Sequence, residues 1–168
     1  MSTDTKSPRR QFLATSAVVS GFLATRAAAD HHQVSLKKND VVLFQGDSIT
    51  DARRDKKRDG ANDAMALGFG YPHHAAGGLL DSHRDLGLQI YNRGISGNKV
   101  PDLKARWKAD ALDLKPAVLS ILIGVNDIWH KLNGRYDGTA EVYRDGFKAL
   151  LEDTKKALPN AKLVICEP

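Results

Sequence analysis

The sequence predicts an α/β fold in which a mostly parallel sheet is covered by helices on both faces. Two observations carry that expectation. Apolar runs alternate with helical patterns along the chain, the signature of successive βαβ units. Three of those runs also end in a short polar turn: Gly46-Asp47-Ser48-Ile49-Thr50, Asn92-Arg93-Gly94 and Gly124-Val125-Asn126-Asp127. In a parallel sheet, turns of this kind gather at one edge, the crevice where such folds place their chemistry.

Four strands are expected, at Val41 to Gln45, Leu88 to Asn92, Ala117 to Ile123 and Lys162 to Cys166, each a run rich in Val, Ile and Leu. Three helices are expected, at Tyr71 to Arg84, Pro101 to Leu112 and Thr139 to Leu158. Pro101 suits a first helical turn, and Leu103, Trp107 and Ala111 repeat every four residues to face the sheet, with Trp107 in the core. In the last helix Tyr143, Phe147, Leu150, Leu151, Thr154 and Leu158 share one face, Lys148, Glu152, Lys155 and Lys156 lie elsewhere, and Pro159 ends the element. No internal repeat or low-complexity tract interrupts the pattern. Between Asp51 and Leu67 the run Arg53-Arg54-Asp55-Lys56-Lys57-Arg58-Asp59 reads as a solvated loop, with a rim attracting anionic substrates such as acidic polysaccharides as the alternative.

The chain has 168 residues, 42% hydrophobic and 27% charged, which suits one globular domain. Residues 1 to 29 are set apart from it. Arg9-Arg10-Gln11-Phe12-Leu13, a small apolar stretch from Ala14 to Ala24 and then Ala27-Ala28-Ala29 read as a twin-arginine export signal with a cleavage site before Asp30. The stretch is too short to span a bilayer as a helix, so no stable membrane span is expected; the alternative is an uncleaved or lipid-anchored tail. Pro8 and Ala14 stand where such signals usually carry Ser or Thr and Lys, so the residues speak for export more strongly than for that route. Removing this segment takes four basic residues and one acidic residue, leaving 21 basic against 19 acidic. The net charge falls from +5 to +2, which gives no support to a nucleic-acid partner. Cys166 is the single cysteine and cannot form an internal disulfide; its strand position favours an inert core residue over a reactive thiol.

The three turns, taken in order, resemble the first three sequence blocks of the SGNH (GDSL) hydrolase family, over a stretch from about Val41 to Pro168. The resemblance implies a flavodoxin-like three-layer sandwich with strand order 2-1-3-4-5. It also implies an ester hydrolase with Ser48 as nucleophile. The oxyanion hole would be made by the backbone N–H groups of Ser48 and Gly94 and the side-chain amide of Asn126. The residue types suit those roles: a glycine lets the backbone approach the substrate, and an asparagine amide donates at any working pH. Asp47 and Asp127 are expected to stabilise turns through local backbone N–H groups. The motif is not the Gly-x-Ser-x-Gly elbow, since Ile49 and Thr50 follow Ser48.

The family's fourth block, an Asp-x-x-His that supplies the general base and its orienting carboxylate, has no counterpart before Cys166-Glu167-Pro168. The expectation is therefore a fragment or an incomplete hydrolase, with a sheet incomplete at the carboxyl end and an unpaired edge at Leu163-Val164-Ile165. Little Ser48-dependent turnover is expected from these 168 residues alone. Asp127-Ile128-Trp129-His130 has the right spacing but begins inside the third block and is set aside as the base. His31, His32, His73, His74 and His83 read as surface residues. Adjacent histidines do not share a helical face, so neither a metal site nor a cofactor is expected.

The leading expectation is an exported, periplasmic or secreted serine carboxylic-ester hydrolase acting on a small-molecule or glycan ester. Carbohydrate O-acetyl esters are among its candidate substrates, and the twin-arginine machinery is its export partner. The alternative is a catalytically inactive ester- or glycan-binding module of the same fold. A nucleotide-binding domain is disfavoured, because the turn after the first strand lacks phosphate-loop glycines and Gly68-Phe69-Gly70 does not follow a strand.

Overall fold

The four expected strands lie side by side in the computed structural model, which describes residues 34–168, one compact unit, Val34–Pro168. The expected export segment at residues 1 to 29, with His31 and His32, lies outside the described residues. The strands are β1 (Val41–Gly46), β2 (Gln89–Asn92), β3 (Val118–Leu122) and β4 (Lys162–Cys166). They form one sheet in the order β2-β1-β3-β4, with every neighbouring pair parallel. Because all run the same way, the turns after Gly46, Asn92 and Leu122 emerge at one edge.

The period of two along each strand separates two cores. On one face Leu43, Leu119 and Ile121 pack against Leu103 and Trp107 of α4 (Val100–Asp110) and Leu150 of α6 (Ala140–Ala157). On the other face Val42, Phe44 and Ile90 pack against Leu67 of α2 (Ala64–Leu67) and Ala76 of α3 (Tyr71–Ser82). The result is a three-layer α/β sandwich. Trp107 is buried as expected, and its indole N–H donates to Thr154 Oγ1 at 2.9 Å, satisfying the one polar atom it takes inside.

The structure adds helices to the three that the sequence pattern predicts. These are α1 (Ser48–Asp51), the short α2, and α5 (Val125–Leu132). α5 buries Asn126 and Asp127 while Ile128, Trp129 and Leu132 stand exposed, so its apolar stripe faces away from the sheet. β4 pairs on one side only among the described residues, with Val164 and Ile165 partly exposed along it.

Candidate active site

Ser48 stands exposed at the first position of α1, where β1 gives way to the turn. Gly46 makes this turn possible: a Cβ there would lie 2.2 Å from Thr50 Oγ1 and 2.3 Å from the Leu122 carbonyl oxygen. Asp47 fixes the entry to the helix, its Oδ1 accepting from the Ile49 N–H at 3.0 Å. That is the local turn-stabilising bond expected from sequence. Burial pushes the Asp47 carboxyl up against the pull of these backbone donors. No histidine hydrogen-bonds the Ser48 hydroxyl among the described residues.

The loop after β2 spends almost every backbone N–H, either on this turn or within itself. Asn92 donates from Nδ2 to the carbonyls of Thr50 (2.7 Å) and Leu67 (2.8 Å), and its Oδ1 accepts the Gly94 N–H at 2.9 Å. Ile95 N–H donates to the Gly46 carbonyl at 3.1 Å and Asn98 N–H to the Ile95 carbonyl at 3.2 Å. Ser96 N–H donates to Asp51 Oδ2 at 2.8 Å. Between Gly94 and Asn98, the N–H of Gly97 alone has no partner among the described residues. Gly97 has φ +82°, and nothing lies within 4 Å of where its Cβ would stand.

The donor expected at Gly94 is thus engaged by Asn92, within its own loop. Glycine is needed at position 94 for another reason: a Cβ would lie 2.4 Å from the Asp51 nitrogen, so only a glycine lets the loop lie against α1. In the same loop, the hydrogen-bond pattern leaves the Gly97 N–H as the open donor.

The third turn closes the site. Asn126 is 8% exposed, and its Nδ2 donates to the Asn98 carbonyl at 3.1 Å, which uses one amide hydrogen and leaves the second to point elsewhere. Asp127 is buried, and both its oxygens accept from the Val100 N–H at 3.3 Å. That bond reaches across 27 residues to the start of α4, in contrast to the local turn expected for Asp127. Burial pushes this carboxyl up as well. With the carboxylate committed to Val100, no Asp127–His130 hydrogen bond forms among the described residues.

The charged run between Asp51 and Leu67 departs from a solvated loop at two residues. Arg54 is 7% exposed and donates from Nε to the Gly94 carbonyl at 2.7 Å. Lys56 forms an ion pair at 2.7 Å with Asp51, whose carboxylate is buried. Lys57 and Asp59 remain exposed, as a solvated loop requires. Beneath the site, Arg106 of α4 donates to the Arg93 carbonyl at 2.7 Å, to Asn98 Oδ1 at 2.9 Å and to Asp110 Oδ2 at 2.9 Å. Sequence reasoning passed over Asp51, Arg54, Asn92 and Arg106 as framework. The one available signal was the position of Asp51, three residues after Ser48 and just ahead of a block of cations.

Asp51 gives the site a pH-dependent contribution to stability. Burial pushes its carboxyl up, but the Lys56 ammonium and the two Ser96 donors outweigh burial and hold it below the ordinary carboxylate value. A carboxyl held lower in the folded chain adds stability above its unfolded pKa and gives it up as pH falls through the folded one. Asp51→Asn is expected to cost about 1 to 3 kcal/mol at neutral pH. Its deficit against wild type in urea unfolding should hold steady from neutrality into mild acid and shrink below pH ~4. A deficit that stayed constant down to pH ~3 would show that the charge is immaterial.

The chain matches the model of the GDSL-like lipase/acylhydrolase family over residues 44–168. It is 40% identical over 118 residues to the acetylxylan esterase of Geobacillus stearothermophilus, covering 70% of this chain and 53% of that protein. The uncharacterized lipoprotein YqeF of Bacillus subtilis is 31% identical over 81 residues, 48% of this chain and 33% of that one. Among solved structures, a Parabacteroides merdae protein classed as a GDSL-like lipase superposes with a TM-score of 0.78 and 52% identity, over 80% of this chain and 62% of that chain. The Geobacillus acetylxylan esterase superposes with a TM-score of 0.69 and 34% identity, over 77% of this chain and 59% of that chain. Catalytic mutants of that esterase replace a serine, an aspartate and a histidine, the last two three positions apart. The chain spans about half the length of the acetylxylan esterase it matches.

Proposed function

The chain belongs to the GDSL-like lipase/acylhydrolase family, and on that footing we propose that the whole protein is a serine ester hydrolase acting on small O-acyl esters. Acetylated carbohydrates are the proposed substrate class. The observation that carries the reading is an exposed serine hydroxyl on a turn bonded to one loop, which is bonded in turn to a second, each keeping an unspent donor, Gly97 N–H and one amide hydrogen of Asn126.

In this mechanism Ser48 Oγ attacks the acyl carbonyl carbon. As the tetrahedral intermediate forms, its oxyanion takes hydrogen bonds from the Ser48 N–H, the Gly97 N–H and the Asn126 amide. Both neighbours of Gly97 are tied down, so that donor is held in place before the charge develops, which is where such donors gain their effect. Collapse of the intermediate expels the alcohol and leaves an acyl group on Ser48, and water then releases the acid. The proton acceptor is proposed to be a histidine in an Asp-x-x-His segment of the whole protein, as the catalytic mutants of the Geobacillus relative suggest by analogy. Acetylated sugars as substrate rest on the same relative, an acetylxylan esterase.

Export is proposed from residues 1 to 29 as a twin-arginine signal, with residues 30–168 belonging to the mature hydrolase domain in the periplasm or outside the cell. A relative named as a lipoprotein supports an export route. No helix among the described residues is long and apolar enough to cross a membrane.

Acid quenching of the full-length protein seconds after mixing with p-nitrophenyl acetate tests the reading. One acetyl group is expected on the peptide carrying Ser48, together with a burst of p-nitrophenol equal to the enzyme concentration. Acetyl on another residue, or steady turnover with Ser48 unmodified, would remove Ser48 as nucleophile. Binding of acetylated xylooligosaccharides with no acetylation at all would favour the inactive binding module, a reading that draws on the absence of a histidine bonded to Ser48 among the described residues.

A further inference from the structure

We propose that the Asp51 carboxylate is a positioning group that sets the distance between the nucleophile and the oxyanion loop. The inference rests on the assignment of Ser48 and Gly97 above and goes beyond it to a residue that touches neither substrate nor reacting atoms.

Asp51 closes α1 three residues after Ser48, so its carboxylate moves with the nucleophile. Oδ2 accepts two hydrogen bonds from one residue of the facing loop, Ser96 N–H and Ser96 Oγ–H, each at 2.8 Å. Oδ1 accepts the Arg54 N–H at 3.2 Å. The Arg54 guanidinium then reaches back to the Gly94 carbonyl at 2.7 Å, so the loop is held at positions 94 and 96, both from the α1 side. Gly97, which carries the open donor, follows directly. Its positive φ gives it a backbone that can swing unless its neighbours are fixed.

Lys56 completes the arrangement. A fully buried carboxylate facing only neutral donors would tend to take up a proton; the ammonium at 2.7 Å favours the charged form, which accepts hydrogen bonds and donates none. The charged run thereby acquires a use, since two of its cations hold the loop that carries the oxyanion donor. A pair of polar groups brought together merely for folding would not need to join the nucleophile's own helix to the residue next to the donor.

The test is steady-state kinetics of the full-length protein on p-nitrophenyl acetate, with hydrogen exchange of residues 94–98 as a second readout. Asp51→Ala is expected to lower kcat by about 10- to 100-fold with KM changed less than about threefold, because a displaced donor weakens the transition state and leaves ground-state binding alone. Asp51→Asn keeps an oxygen for Ser96 and should recover most of the loss. Ser96→Ala removes one of the two loop bonds without touching the buried carboxylate, so it serves if Asp51→Ala does not fold, and it should lower kcat several-fold. Exchange at residues 94–98 should rise in both variants while the sheet stays protected. Unchanged kcat in Ser96→Ala and in a folded Asp51→Ala, beside an inactive Ser48→Ala control, would overturn the positioning role and leave the nucleophile standing. Full activity in Ser48→Ala would overturn both.

Discussion

Ser48→Ala in the full-length protein is expected to lower kcat/KM for an aryl acetate by about 10⁴-fold or more, with the unfolding midpoint unchanged. Losing the nucleophile of a serine hydrolase removes the covalent route altogether, and the remaining rate over water, about 10³- to 10⁴-fold in comparable deletions, comes from the oxyanion donors and binding. The structure explains why stability should survive. Ser48 is exposed, the turn is held by Gly46 and by the Asp47 bond to Ile49, and the hydroxyl has no partner among the described residues. The cost is therefore confined to chemistry. Parallel measurements of initial rate and thermal unfolding decide it, and a loss below about tenfold would place the nucleophile elsewhere.

Asn126→Ala is expected to lower kcat by about 10²- to 10³-fold, the usual cost of one oxyanion donor. Part of that loss is indirect, because the same amide holds the Asn98 carbonyl at 3.1 Å and so steadies the loop beyond Gly97. Asn126→Asp tests both donations together. It keeps the shape but presents only acceptors to the oxyanion and to the Asn98 carbonyl, so it should be at least as poor as alanine. If aspartate instead restored activity, neither donation by Asn126 would matter to turnover. A rise in KM with unchanged kcat in either variant would also remove it from selective transition-state stabilisation.

The architecture was legible because it depends on periodicity. Near-continuous apolar runs along Val41 to Phe44 and Val118 to Leu122 announce strands covered on both faces, and the four-residue repeat of Leu103 and Trp107 announces a helix on one of them. Ser48 and Asn126 were singled out by the turns that follow those strands. Gly94 illustrates where such reading stops. A glycine in a functional turn can serve through the space it vacates or through the N–H it offers, and the sequence does not separate the two. The close approach to Asp51 and the bond to Asn92 assign Gly94 to the first use, and the unengaged N–H leaves the second open to Gly97. Arg54 escaped for a related reason: within a run of cations, nothing local distinguishes the guanidinium that turns inward onto a carbonyl from those left in water. α5 carries Val125, Ile128, Trp129 and Leu132 at helical spacing, and it escaped because its first residues, Val125-Asn126-Asp127, were read as part of the polar turn after β3.

The open side of β4 has a practical consequence for anyone handling residues 34–168 by themselves. Val164 and Ile165 present an apolar strand whose outer hydrogen-bonding groups have no neighbour among the described residues, an invitation to strand-by-strand stacking between molecules. In colloidal terms the unit carries an adhesive seam in addition to the exposed α5 residues Ile128, Trp129 and Leu132. Association along that seam is therefore expected at high concentration without any loss of the core.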